Sequence, residues 1–94
     1  MSLYYLDASA WVKRYYKEDG TTWVQELFNR NQIMACASLG MIEVMATLSR
    51  KRRSREITPS QFRQKSRELE NDWELFIQIQ MTNEIVSLAK ELVT

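Results

Sequence analysis

Apolar positions along the chain follow strand and helix spacings in alternation. Short apolar runs over residues 3–6 and 33–37 predict two strands, the first buried on both faces, and alternation over 76–81 predicts a third. Helical spacing predicts helices over about 8–17, from about 22, over about 39–52, from 59 and from 84. Strands separated by helices indicate an α/β protein with a parallel sheet and right-handed crossovers.

Local signals mark several helix starts. Residues 58–61 (Thr-Pro-Ser-Gln) combine a cap, a proline at the first helical position and the glutamine of a capping box. Ser38 is the predicted N-cap of the third helix, and Thr22 with Gln25 has capping-box spacing for the second. Asn83 is the predicted cap of a final helix whose apolar positions are Ile85, Leu88, Ala89 and Leu92.

Composition limits the chemistry more than the fold. The 94 residues, 45% hydrophobic and 27% charged, indicate one small globular domain, and the absence of a membrane-length apolar run or a signal-peptide pattern favours a cytoplasmic location without membrane contact. The chain has no histidine, so catalytic triads and histidine-ligated metals are excluded within it. Its single cysteine, Cys36, is predicted to be a buried apolar residue. Any metal must therefore have oxygen ligands, as Mg²⁺, Mn²⁺ and Ca²⁺ do.

Two acids are the candidate catalytic residues. Asp7 directly follows the first strand, where open α/β sheets bind ligands, and Glu43 lies in an apolar helical stretch without a nearby cation. The ordinary alternatives are an N-cap for Asp7, and for Glu43 either the solvent edge of its helix or a pair with Arg50. If the two acids converge, they can hold a divalent metal that polarises a phosphoryl oxygen and activates water. Such chemistry suits phosphodiester hydrolysis.

Basic residues are concentrated in one run. Five of the thirteen lie between residues 50 and 55: Arg50, Lys51, Arg52, Arg53 and Arg55. They are candidate contacts to an RNA backbone, and the alternative is a solvated helix end that complements the helix dipole. Trp11, Trp23 and Trp73 are more typical of packing or a dimer surface than of base stacking.

Two motifs carry a family resemblance. Residues 4–13 (Tyr-Tyr-Leu-Asp-Ala-Ser-Ala-Trp-Val-Lys) resemble the opening of the PIN domain family. Residues 38–44 (Ser-Leu-Gly-Met-Ile-Glu-Val), followed by Leu48-Ser49-Arg50, are similar to its second motif. The resemblance covers essentially all of residues 1–94. It implies a three-layer α/β/α fold around a central parallel sheet, and a Mg²⁺- or Mn²⁺-dependent ribonuclease, often a VapC toxin held inactive by an antitoxin.

The resemblance also assigns residues. Asp7 and Glu43 correspond to metal-binding acids, and Ser9 to a supporting residue that orients Asp7. The family's remaining acids follow the helix that begins here at Asn83 and have no counterpart, so we expect an incomplete domain with a half-built site. Its exposed apolar surface and sheet edge would favour homo-oligomers.

Two other functions stay open. One is a non-catalytic relative that binds RNA or an antitoxin without cutting. The other is a phosphoryl-transfer enzyme of the haloacid dehalogenase type, in which a second acid follows the first by two residues. Ser9 occupies that position here.

Overall fold

Three short strands form one parallel sheet. In the computed structural model, which describes residues 2–80, β1 (Leu3–Tyr5), β2 (Ile33–Ala37) and β3 (Ile77–Ile79) lie side by side in the order β1-β2-β3. Tyr5 pairs with Ala35, and Ala35 pairs with Ile77 on its other side. All three strands therefore point the same way, and the predicted α/β class with a parallel sheet is confirmed.

Two helical units connect the strands. Between β1 and β2 lie α1 (Ala8–Trp11), a 3₁₀ turn (Val12–Arg14) and α2 (Thr21–Asn29). Between β2 and β3 lie α3 (Ser38–Arg53) and α4 (Pro59–Trp73). The predicted end of the third strand at Met81 and the predicted helix after Asn83 lie outside the described residues.

The start of α4 is where local sequence decides the structure. The Gln61 amide donates to Thr58 Oγ1 at 3.0 Å, and the Thr58 amide donates to Gln61 Oε1 at 2.8 Å, so the predicted capping box is confirmed. Pro59 is the first helical residue and needs no hydrogen-bond acceptor for its nitrogen.

The starts of α2 and α3 differ from the prediction. Gly20, at φ +93°, precedes α2, and Gln25 contacts Arg14 instead of completing a capping box with Thr22. Ala37 stands at the N-cap position of α3, and the Ser38 hydroxyl donates 3.5 Å across to the Ile79 carbonyl. In both cases a contact to a distant part of the chain replaces the local cap.

The helix predicted over residues 8–17 is also shorter in the structure. It ends as an α-helix at Trp11 and tightens into the 3₁₀ turn. The buried indole of Trp11 donates to the Tyr15 hydroxyl at 2.8 Å, and Arg14 reaches the carboxylate of Asp72. The tertiary bond from Arg14 to Asp72, 58 residues away, outweighs the helical propensity of the segment.

The core lies on one face of the sheet. Met34 and Cys36 belong to a buried cluster with the helix residues Val44 and Leu48, and the Trp11 ring stacks on Phe76 at 4.4 Å between centroids. The opposite face carries large apolar side chains that the described helices leave exposed, here called the open apolar face: Leu3, Tyr5, Ile33 and Ile77. The prediction that the first strand is buried on both faces is therefore wrong for residues 2–80, since Leu3 is 61% exposed.

A buried ion pair ties the first helical unit to the end of α4. Asp72 accepts from Arg14 Nε and from the Tyr15 hydroxyl, both at 2.6 Å. The Arg14 guanidinium also donates to Gln25 and lies 3.8 Å from the Phe28 ring centroid. Burial raises the pKa of Tyr15, and the hydrogen bond to Asp72 raises it further. The hydroxyl therefore stays protonated and remains a donor.

Removing Asp72 is expected to destabilise the fold strongly. Asp72→Ala would leave Arg14 and the Tyr15 hydroxyl without their acceptor, at a cost of about 3–5 kcal/mol in the free energy of unfolding. The matched control is Glu26→Ala, because Glu26 accepts from Arg30 at the same 2.6 Å, but in an exposed pair worth about 0.3–0.5 kcal/mol. Urea denaturation measures both. Equal losses in the two variants would contradict this role for Asp72.

Candidate functional site

Asp7 lies at the carboxyl end of β1 and begins α1. The Leu6 amide still donates to the Ala35 carbonyl at 2.9 Å, so the chain leaves the sheet at Asp7. Asp7 Oδ1 accepts from the Ala10 amide at 2.9 Å and from the Ser9 hydroxyl at 2.8 Å. The N-cap alternative is thus what the structure shows. Both of these bonds reach Oδ1. Neither donor contacts Oδ2, so this second oxygen is free to face another ligand.

The same contacts keep Asp7 ionised. The hydrogen bond from the Ala10 amide lowers the pKa of the Asp7 carboxyl most, and the bond from the Ser9 hydroxyl lowers it further. The charge of Lys13 acts in the same direction. Ser9 donates a hydrogen bond that orients the Asp7 carboxylate, and its supporting role at a metal site stays a prediction. The side chain is an oriented, exposed carboxylate, which is the protonation state that a metal ligand requires.

Glu43 faces the same cavity from α3. Asp7 and Glu43 both line a cavity of about 210 Å³, here called the acid cavity, together with Tyr5, Ala8, Cys36, Ala37, Leu39 and Gly40. The Glu43 side chain is exposed, as one of the alternatives predicted, and it forms no salt bridge with Arg50 in the described part of the chain. The structure therefore brings the two predicted acids to one cavity at the carboxyl end of the sheet.

Cys36 and Gly40 bring α3 close to this end of the sheet. Cys36 is completely buried, as predicted, and a Cβ added at Gly40 would lie 2.5 Å from its sulfur. Only glycine fits this approach. Burial raises the pKa of the Cys36 thiol to about 11, and the charges of Asp7 and Glu43 contribute to the rise. The thiol is therefore protonated at neutral pH and is a packing residue, not a nucleophile.

A second depression continues from the acid cavity. It has a volume of about 370 Å³, it shares Ala8 and Glu43 with the acid cavity, and we call it the groove. Its polar lining consists of Ser9, Glu18, Glu43, Thr47 and Arg50. Glu18 and Thr47 were not among the predicted site residues. Thr47 follows Glu43 by one helical turn, so helix spacing pointed to it, whereas Glu18 lies in a turn that has no such signal.

The basic run divides into different environments. Arg50 lines the groove, whereas Lys51 Nζ lies 3.6 Å from the Tyr16 ring centroid and the Arg52 guanidinium 4.8 Å from that of Phe62. Arg53 donates to Ser49 at 3.0 Å, and Arg55 follows the helix end at φ +63°. Four of the five residues also belong to the last turn of α3, where they complement the helix dipole.

The donor set suits a hard divalent cation that keeps other ligands. Within residues 2–80, no group of three or more Asp, Glu, Cys or His side chains is arranged to hold a metal, so the acid cavity offers two carboxylates. Mg²⁺ is commonly bound by one or two carboxylates together with water and substrate phosphates. Asp7 and Glu43 therefore fit Mg²⁺ or Mn²⁺ better than a metal that needs a complete protein cage.

The chain matches no protein-family model, no curated protein and no solved structure. None of the helices in the described part combines the length and the hydropathy that crossing a bilayer requires. The function must therefore be inferred from the site itself.

The charge of Asp7 is expected to make stability depend on pH. Because its pKa is lower in the folded than in the unfolded chain, Asp7 stabilises the fold above its unfolded pKa of about 3.9, and this contribution disappears as pH falls through the folded pKa. Asp7→Asn, which keeps the cap, should lower the free energy of unfolding by about 0.3–1 kcal/mol at pH 7.

Urea denaturation from pH 7 down to pH 3 measures this contribution. The difference between the wild type and Asp7→Asn should shrink as the pH falls. Asp19→Asn is the control, since Asp19 caps none of the helices among the described residues. A difference that does not change with pH would contradict the ionised cap.

Proposed function

We propose that the chain is a PIN-like, metal-dependent endoribonuclease that hydrolyses RNA phosphodiester bonds. The observation that carries the proposal is the meeting of Asp7 and Glu43 in one cavity at the carboxyl end of a parallel sheet. Both acids come from the two motifs that resemble the family. With no histidine in the chain, oxygen ligation of a hard metal is the chemistry left to them.

Asp7 and Glu43 would hold Mg²⁺ or Mn²⁺, which supplies Lewis-acid polarisation of the phosphoryl group and a water of lowered pKa. The protein's own part is orientation. Ser9 and Ala10 hold Oδ1 of Asp7, and α3 carries Glu43 to the same cavity. The exposure of both carboxylates leaves the remaining metal positions open to water and to an RNA phosphate.

The proposal includes the three-layer PIN-like fold and the biological setting that the family implies. Parallel sheets normally have both faces covered, and the open apolar face of Leu3, Tyr5, Ile33 and Ile77 supports a further covering layer. The setting is that of a cytoplasmic toxin held by an antitoxin protein.

A second candidate is a non-catalytic PIN-like module that binds RNA or an antitoxin. The observation that favours it is that Asp7 and Glu43 are not joined by a third acid among residues 2–80, so the metal site has only two carboxylates there. A phosphoryl-transfer enzyme of the haloacid dehalogenase type ranks below both. Its second acid would stand at Ser9, and the Ser9 hydroxyl instead donates a hydrogen bond to Asp7.

Cleavage of single-stranded RNA in the presence of Mn²⁺ tests the nuclease proposal. Asp7→Asn and Glu43→Gln each remove a metal ligand with little change of shape and should lower the cleavage rate by about 100-fold or more, because metal catalysis supplies several kcal/mol. The matched control is Glu26→Gln, an exposed acid on α2 paired with Arg30, which should cleave like the wild type.

Two results would count against the nuclease. Cleavage that survives Asp7→Asn, or that continues in EDTA, would show that the site is elsewhere. RNA binding without cleavage by the wild type would favour the non-catalytic module.

A second copy of the chain can cover the open apolar face instead, as in the expected homo-oligomer. Two copies that bury this face against each other would remove exposed apolar surface from water. Ile33→Glu, in the central strand of the face, should shift the chain to monomer in sedimentation velocity. Ile42→Gln, equally apolar and 62% exposed but on α3, should leave association unchanged. A wild-type chain that stays monomeric at all concentrations would contradict this proposal.

A further inference from the structure

We propose that the groove is a phosphate subsite next to the metal site, and that Arg50 binds there the phosphate adjacent to the one that is cleaved. The inference rests on the proposed nuclease function and adds to it a position and a residue for the bound strand. It also separates Arg50 from the other four members of the basic run.

The groove has the position and size for this role. It shares Glu43 with the acid cavity, so a strand whose phosphate reaches the metal site passes directly into it. Its volume of about 370 Å³ lies in the range of ordinary ligand sites. Arg50 follows Glu43 by seven residues on the same helix, which places it two turns along the same face, about 10.5 Å in rise.

The Arg50 side chain is held towards the groove. The Thr47 hydroxyl donates to the Glu43 carbonyl at 2.9 Å and accepts from Arg50 Nη2 at 3.0 Å. This contact uses one of the five N–H donors of the guanidinium, and the others are available for a planar, two-pronged contact to a phosphate. Arg50 forms no salt bridge with any acid among residues 2–80, although Glu18 and Glu43 line the same groove.

The two glutamates give the subsite a dependence on metal. Their negative charges repel a phosphate, whereas a divalent cation at Glu43 reverses the local charge and attracts it. Metal and RNA should therefore bind with positive coupling, in which each raises the affinity of the other. Glu18 is not in the acid cavity, so its removal changes the repulsion without removing a predicted metal ligand.

Binding of a fluorescein-labelled single-stranded RNA to the wild type and to each variant is measured by anisotropy in EDTA, where the proposed nuclease does not cleave the probe. A second measurement with Mg²⁺, taken before cleavage is detectable, gives the coupling between metal and RNA. Arg50→Ala should weaken binding about threefold to tenfold and lower the salt dependence of log K by about 0.7, the contribution of one phosphate on a single strand. Glu18→Gln should have the opposite sign and tighten binding. Arg53→Ala is the matched control, since it removes the same charge from the last turn of the same helix. Arg53 donates to Ser49 and does not line the groove.

The outcomes separate this proposal from the nuclease proposal. Equal weakening by Arg50→Ala and Arg53→Ala, or no effect of Glu18→Gln, would overturn the subsite and leave metal-dependent cleavage standing. The expected differences in a chain that binds RNA but does not cleave it with Mn²⁺ would support a phosphate-binding role for Arg50 and overturn the nuclease, and with it the position of that phosphate next to a cleaved one. A wild type that does not bind RNA, but binds a protein partner through this groove, would overturn the subsite.

Discussion

The parallel pairing of β1 with β2 is the constraint on which the rest of the structure depends. Because Tyr5 lies beside Ala35, the chain leaves both strands at the same end of the sheet, into α1 after β1 and into α3 after β2. Asp7 is the residue at the first exit, and Glu43 lies within the first two turns after the second. An antiparallel pairing of the same strands would send these two helices to opposite ends and separate the acids.

Three carboxylates in this small fold have three different environments. Asp72 is buried, and its carboxylate accepts hydrogen bonds from Arg14 and Tyr15. It therefore contributes to stability and is not accessible to a metal. Asp7 has both a structural and a free oxygen, because Oδ1 caps α1 while Oδ2 remains accessible. Glu43 is an exposed side chain of α3. Of these three acids, only Asp7 and Glu43 have carboxylate oxygens available to an external ligand.

Sequence patterns predicted best where the decisive contacts are local. The box formed by Thr58 and Gln61 needs only residues three apart, and the strand-helix alternation needs only periodicity. The predictions failed where a distant group competes. Gln25 has capping-box spacing but contacts Arg14, and the partner of Arg14 is 58 residues away. The exposure of Leu3 could not be predicted either, since an apolar run does not reveal which faces of its sheet are covered.

For the candidate site, too, the part that depends on element order was predictable and the part that depends on distant packing was not. A carboxylate at the end of β1 and another on the next crossover helix were predictable from element order, and so was their meeting at one end of a parallel sheet. The groove was not, because Glu18 reaches it from a turn whose path depends on the packing of the whole first unit.

The contact between Gly40 and Cys36 has a consequence for the metal site that we propose at Asp7 and Glu43. A Cβ at position 40 would lie only 2.5 Å from the Cys36 sulfur, so a side chain there would push α3 away from β2 and would move Glu43 with its helix. Mg²⁺ binds oxygen at about 2.0–2.1 Å and Ca²⁺ at about 2.3–2.6 Å, a difference of only a few tenths of an ångström. If Asp7 and Glu43 hold a metal as proposed, a larger residue at position 40 would move α3 by a distance of this order and change which cation fits, although both acids stay the same.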